Sequence, residues 1–451
     1  MVSLPHISGY MTVLGSFLFL SQAYADDHIG GDYLQFAPSI SLGSEYRTNL
    51  YLQEGLLETS TGDSIGQPLT SGTAILINPD LKLKYKNGGI KTVLGLNYRA
   101  KKYISSDQVD LSGLDRFRDA QVLSEVELLP IKQFGLSVQN TFLSSGRETS
   151  ADDTGSAYIQ SLNNNTQAGL VFRPGSALEF SGGASYTMVD VTDAQSAKDG
   201  PVDTLNNKQA LGWYTNIQWK FFPRTSIFAE VAGETFDWQY NLVFNESTCS
   251  QNLAGDCELV SVIPNGSTTR AQAGISGRFS DRLLLKLALN YGMASYDTES
   301  ISEGVALGQT LTTALESAKI SLEGLQGLGV SSALTYMFSD THSILLAYDK
   351  DFMDVYFTNF SVYNQFRLEH SVNIMNRVTW KSNFRYRVDS FEGIVTRDDT
   401  RISVNSSLRF RLMKQIDFTL GGGWSQLAST PEFFDIEYDD LRVHGGLVVG
   451  Y

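Results

Sequence analysis

The stretch Leu441-Arg442-Val443-His444-Gly445-Gly446-Leu447-Val448-Val449-Gly450-Tyr451 decides how the rest of the chain is read. Side chains alternate across an extended strand with period two, so Leu441, Val443, Leu447, Val449 and Tyr451 share one face. Arg442, His444, Gly446 and Gly450 fall on the other. One face suits lipid and the other water, the alternation of a strand that crosses a membrane within a barrel.

The same alternation recurs upstream. Leu283, Leu285, Leu287, Leu289, Tyr291 and Met293 oppose Lys286 and Asn290; Trp213, Ile217, Trp219 and Phe221 oppose Tyr214, Asn216, Gln218 and Lys220. After the N-terminus no apolar run reaches the length of a spanning helix, and a chain that crosses hydrocarbon without helices has to close a barrel. The 21 Tyr and 25 Phe fit aromatic girdles at the headgroups, which a soluble sandwich or propeller does not need. The predicted fold is therefore all-β: an antiparallel outer-membrane barrel of about 18 strands, within a range of about 16–20. Short connections fall at Lys86–Gly89, Pro130–Lys132, Arg173–Ser176, Phe222–Thr225, Ser280–Arg282, Ser339–Thr341, Asn373–Asn376 and Met413–Lys414, where Gly, Pro, Asn and Asp supply turn dihedrals. Long ones alternate with them near 52–72, 105–115, 147–155, 190–204, 241–268, 298–322, 355–360, 390–399 and 428–437. The short set is expected to face the periplasm and the long set the outside. Leu311, Ala314, Leu315 and Ala318 have helical spacing within 298–322, which fits an exposed loop with a short helix or a segment folded over the mouth.

Residues 1–25 read as a secretory signal peptide, with an apolar run over Met11–Leu20 and small residues before Asp26; residues 26–451 read as a single barrel domain. The formal net charge of −15 excludes nucleic acid as a partner. Cys249 and Cys257, the only cysteines, share one Gly/Asn-rich connection and are expected to form a loop disulfide in an oxidising compartment. Neither a metal site nor a cofactor is expected. Catalysis has poor raw material: His444 with Asp440 is the one histidine and carboxylate pair on a common inward face, and no nucleophile accompanies it. His444 reads as lumen lining, and the protein as a non-enzyme.

Function is expected in the lumen, because a barrel this wide is not filled by its own side chains. The inward positions carry a basic arc of Lys82, Lys84, Arg99, Lys101, Arg367, Lys381, Arg385, Arg387, Arg401, Arg409, Arg411 and Arg442. Glu125, Glu127, Glu179, Glu230 and Glu234 line the opposite wall, so the expected lumen has a transverse field. The alternative is that these charges pair across strands and keep a wet wall soluble.

Three segments carry a resemblance: Ser44-Glu45-Tyr46-Arg47-Thr48-Asn49-Leu50-Tyr51, Pro223-Arg224-Thr225-Ser226-Ile227-Phe228-Ala229-Glu230 and Arg397-Asp398-Asp399-Thr400-Arg401. With them, most of the chain after the signal resembles the outer-membrane β-barrel porins associated with bacterial exopolysaccharide and capsule export. In that family the first motif carries an acidic pair where Arg47 and Thr48 stand here. The final aromatic, Tyr451, resembles the C-terminal signal read by the barrel-assembly machinery. The resemblance implies a passive conduit or assembly component for an acidic polysaccharide, with a periplasmic or lipoprotein partner. Two other readings stay open: a diffusion or uptake porin for anionic solutes, and the structural barrel of a motility or adhesion complex.

Overall fold

The computed structural model describes residues 29–31, 33–49, 57–58, 64–65, 71–104, 118–129, 133–149, 157–196, 200–201, 206–240, 265–297, 326–354, 360–375, 377–392, 397–430 and 437–450. Residues 1–25, Cys249, Cys257, Tyr451 and the helical spacing within 298–322 lie outside them.

Runs of alternating polarity between the turn residues form the wall. Among the described residues eighteen long strands make one antiparallel sheet. They are β1 (Leu34–Arg47), β2 (Gly72–Asn87), β3 (Ile90–Ile104), β4 (Asp119–Leu128), β5 (Phe134–Thr149), β6 (Ala157–Phe172), β7 (Leu178–Ser196), β8 (Asn206–Phe222) and β9 (Thr225–Tyr240). The second half is β10 (Gly266–Arg278), β11 (Leu283–Tyr296), β12 (Gln326–Ser339), β13 (His342–Asp354), β14 (Phe360–Ile374), β15 (Val378–Glu392), β16 (Arg397–Met413), β17 (Ile416–Thr430) and β18 (Glu437–Gly450). Each strand pairs with its sequence neighbour, and β18 returns to β1 from Arg442↔Arg47 to Gly450↔Ser39, which closes the barrel. Two-residue pieces at Ile29–Gly30 and Gly200–Pro201 extend the sheet at β1 and β7.

The turns fall where Gly, Pro, Asn and Asp placed them. Gly88 takes the left-handed φ of 50° that a two-residue hairpin turn demands. The expected long connections are shorter in two places: β5 runs to Thr149 and β7 to Ser196, with a bulge between Val191 and Asp193. Ladder hydrogen bonds need only backbone, so pairing continues above the apolar band where the side chains are already polar.

The two faces separate by parity. On β11 the outward Leu289 is 65% exposed while its neighbour Ala288 is 1% exposed. Leu287, Tyr291 and Met293 also lie on the exposed face, as do Trp213, Ile217 and Trp219 of β8 and Leu441, Val443, Leu447 and Val449 of β18. A continuous apolar exterior on a closed barrel with a charged interior is a membrane-spanning barrel, and this chain resides in the bacterial outer membrane. Eighteen strands about 4.8 Å apart and tilted by about 40° give a wall roughly 35 Å across, too wide for wall side chains to fill.

Substituting Leu289 by Arg, near the middle of the apolar band, is expected to destabilise assembly by about 2–4 kcal/mol. Lys286→Glu on the inner face should leave assembly intact. The measurement is the fraction of protein that shifts in gel mobility between unheated and boiled samples, low for the first variant and normal for the second.

Candidate functional site

The inner wall is built from its closure outward. Pairing of β1 with β18 sets Glu45 opposite His444 and Arg47 opposite Arg442. Arg47 binds Asp440 at 2.6 Å through one terminal guanidinium nitrogen and at 3.1 Å through Nε, and both side chains are 2% exposed. The backbone N–H of Asn49 donates to the other oxygen of Asp440 at 3.2 Å. Asp440 is thus engaged by Arg47 and Asn49, and His444, on the same face, has no contact with it among the described residues. Glu45 accepts from Lys101 at 3.2 Å and lies 3.6 Å from Arg99. Arg442 and His444 share this inward face, beside Glu45. On β2, Lys82 and Lys84 point the same way and make no ion pair among the described residues.

The second arm of the basic arc lies on β14 to β17. Register places Arg367 directly opposite Arg385, and Arg387 directly opposite Arg401. Arg387 binds both oxygens of Asp389 at 2.8 Å through Nε and lies over the Tyr363 ring at 4.3 Å. Asp389 also accepts from Ser361 at 3.2 Å and stands 3.8 Å from Arg401. Arg401 reaches Asp399 at 3.7 Å, and Asp399 accepts from Ser429. Arg409 binds Asp417 at 2.8 Å through Nε, with Arg411 on the other oxygen at 3.8 Å. Lys381, one pair along from Arg409, lines the same wall.

The expected separation of signs is corrected by these contacts. Asp389, Asp399, Asp417 and Asp440, all at most 3% exposed, sit inside the basic arc. The acidic wall carries its own cations: Lys91 binds Glu125 at 3.4 Å and Glu127 at 3.2 Å, Arg173 binds Glu179 at 2.8 Å, and Lys208 binds Glu234 at 2.9 Å. Glu230 accepts from Asn216 at 3.3 Å. Most wall charges therefore pair with a neighbour on the same or an adjacent strand, as buried charges must.

Not all do: Lys82 and Lys84 have no ion pair among the described residues, and Arg367 and Arg385, like Arg387 and Arg401, are like charges directly opposite each other, an arrangement that destabilises a sheet. Arg385 makes no ion pair among the described residues, and its Nε is buried without a hydrogen-bond partner. Arg367 Nε is also buried without one, lying 3.5 Å from Glu369 Oε1 outside hydrogen-bond geometry. Parity alone placed both arginines on the inner face, but it gave no sign that they differ from Arg387 or Arg409. Only register, which sets their partners, separates them.

The histidines the structure brings together lie elsewhere. His342 and His370 approach at 3.0 Å between their Nε2 atoms, on the outer face among Phe338 and Trp380, away from the lumen.

No family model matches the chain, and no curated protein sequence matches it. Solved structures do match in overall trace. OpdK of Pseudomonas aeruginosa, determined with vanillate, is 9% identical, with 92% of this chain and 99% of that chain covered and a TM-score of 0.44. A BenF-like porin from Pseudomonas fluorescens is 10% identical over 93% of this chain and 99% of its own, with a TM-score of 0.45. The FrpB iron transporter of Neisseria meningitidis is 8% identical over 92% of this chain and 81% of its own, with a TM-score of 0.47. At these scores the architecture rests on the strand pairing itself.

Removing Arg47 by substitution with Ala leaves the buried Asp440 carboxylate without its counter-charge, and is expected to destabilise the barrel by about 3–5 kcal/mol. Replacing both partners, Arg47→Met with Asp440→Leu, should recover most of that loss. The temperature at which the folded gel band disappears reads both effects.

Proposed function

We propose that this barrel is a diffusion porin for small anionic solutes, with the Arg367 and Arg385 pair as the point where an anion is held in passage. The carrying observation is the direct opposition of these two guanidiniums with both Nε–H groups buried and unbonded. A carboxylate or phosphate between them relieves the repulsion and accepts both donors. The guanidinium fork suits that geometry better than a point charge does. Lys82 and Lys84, on the other arm, and Lys381, four residues from Arg385 on the same strand, add positive potential on the approach.

A discrete pair of donors suits a solute bearing one or two acidic groups. An extended polymer needs a track along the whole bore, and Arg387, Arg401, Arg409 and Arg411 of the late arm are already engaged by Asp389, Asp399 and Asp417. The comparisons give no support to polysaccharide export, so the uptake reading is preferred, and it calls for no periplasmic or lipoprotein export partner.

The test is the reversal potential of single barrels in planar bilayers under a potassium chloride gradient. The wild type should prefer chloride, and Arg367→Gln with Arg385→Gln should lose most of that preference. The difference should be larger at 0.1 M than at 1 M salt, where the screening length falls from about 10 Å to about 3 Å. A cation-selective wild type, or a double variant with unchanged selectivity, would overturn the reading.

A further inference from the structure

The outer face holds polar groups that the pore does not use. On β5 the outward positions from the periplasmic end are Phe134, Leu136 and Val138, all exposed, and then Asn140. On β6 they are Phe172, Leu170 and Ala168, and then Thr166 and Asn164. The parity is fixed from inside: the Ser137 hydroxyl donates to the Gly169 carbonyl at 3.4 Å, and Gly169 lies against the hydroxyl of the buried Tyr214. Register sets Asn140 opposite Thr166 on one side and opposite Ser124 of β4 on the other.

Asn140 lies six residues from Phe134. At about 3.3 Å per residue and a tilt of about 40°, that is about 15 Å along the membrane normal, near the middle of an apolar band about 25 Å tall. Within the patch, Asn140 Nδ2 donates to Asn164 Oδ1 and to Thr166 Oγ1, each at 2.7 Å. Asn140 Oδ1 and Asn164 Nδ2 have no hydrogen-bond partner among the described residues. Hydrocarbon supplies neither a donor nor an acceptor.

We propose that this face of β5 and β6 binds a second copy of this chain in a two-fold dimer. Both copies enter the membrane in one orientation, so the only two-fold axis allowed runs along the membrane normal. Such an axis brings a patch at a given depth against itself. The free groups are complementary under that operation: the acceptor Asn140 Oδ1 of one copy meets the donor Asn164 Nδ2 of the other, and the reverse. Exposed small side chains beside the amides, Ala168 and Ala184, let two sheet faces approach closely enough for these bonds. The remainder of the patch, Leu136, Val138 and Leu170, packs equally well on protein or on acyl chains and does not oppose the contact.

The test is the mass of the folded protein in lipid nanodiscs, by light scattering corrected for lipid. Wild type should show two copies of the chain per particle, and Asn140→Leu with Asn164→Leu should show one, with the heat shift in gel mobility unchanged. A monomeric wild type, an assembly of any other size, or a leucine variant that stays dimeric overturns the proposal. Because leucine at a lipid-facing position favours insertion, the variant is expected to fold. If it does not, co-expression of Asn140→Cys and Asn164→Cys single variants, each in a background with Cys249 and Cys257 replaced by Ser, decides the matter: oxidation in the native membrane should give a cross-linked dimer joining the two variants, and its absence overturns the proposal.

Discussion

Every backbone N–H and C=O that crosses hydrocarbon has to be bonded within the protein, and this one constraint governs the rest of the molecule. An open sheet would leave two edges of unpaired groups in lipid. The pairing of β1 with β18 removes both. Side chains reinforce the wall there: Arg47, Asn49 and Asp440 are buried together, and the Thr48 hydroxyl accepts from the Leu441 backbone at 2.8 Å. The seam joins the two ends of the chain, with a sequence separation of 393 between Arg47 and Asp440, so it bears the largest loop-closure entropy of any contact in the barrel. Strong charge-assisted bonds at that position offset the largest entropic loss.

Closure fixes parity, and parity fixes which side chains share the lumen. That much was legible in the sequence: the alternation of Leu289 and Asn290, the turns at Asn87–Gly88 and Pro223–Arg224, and the long and short rhythm gave the strand number and both faces. The partners of the charges were not legible. Asp399 fell within an expected connection, yet the strand begins at Arg397 and sets it on the same face as Arg401, two residues on; Asp417, just after a tight turn, is carried by the register of the hairpin onto Arg409. A bulge between Arg411 and Met413 shifts that register by an amount no alternation reveals. Arg387 and Arg401 meet aspartates two residues away on their own strands and Arg409 meets one across its hairpin, but the contact of Arg47 with Asp440 depends on the stagger at which the barrel closes, a property of the whole sheet.

The segments that carried the resemblance to export barrels have a structural account as well. Ser44–Tyr51 contains Glu45, Arg47 and Asn49, which hold the seam and its neighbouring lysine. Arg397–Arg401 contributes the Asp399 and Arg401 contact of the late wall. Pro223–Glu230 begins at a periplasmic turn whose Arg224 binds Asp281 of the next turn at 2.6 Å. All three are solutions to problems of barrel construction. They speak for shared architecture and carry no information on cargo.

Arginine appears on this wall in two states, and the difference lies in its neighbours. Arg270 lies over the Phe352 ring at 4.5 Å, is 3.5 Å from Asp351 and donates to the Phe352 carbonyl. The ring itself is seated against Gly292, where a Cβ would collide with it, so a glycine on β11 is what allows the stack. That arginine is neutralised, bonded and covered, and serves as part of the wall. Arg385 faces Arg367 and has Arg387, already committed to Asp389, next on its own face. A sheet selected for stability alone would place a carboxylate or a neutral residue at one of those positions, as it does beside Arg409 and Arg411. Arg387 and Arg401 also face each other, but Asp389 and Asp399 stand against them, whereas the Arg367 and Arg385 pair has only Glu369, 3.5 Å from Arg367, and so keeps more positive charge open to the lumen.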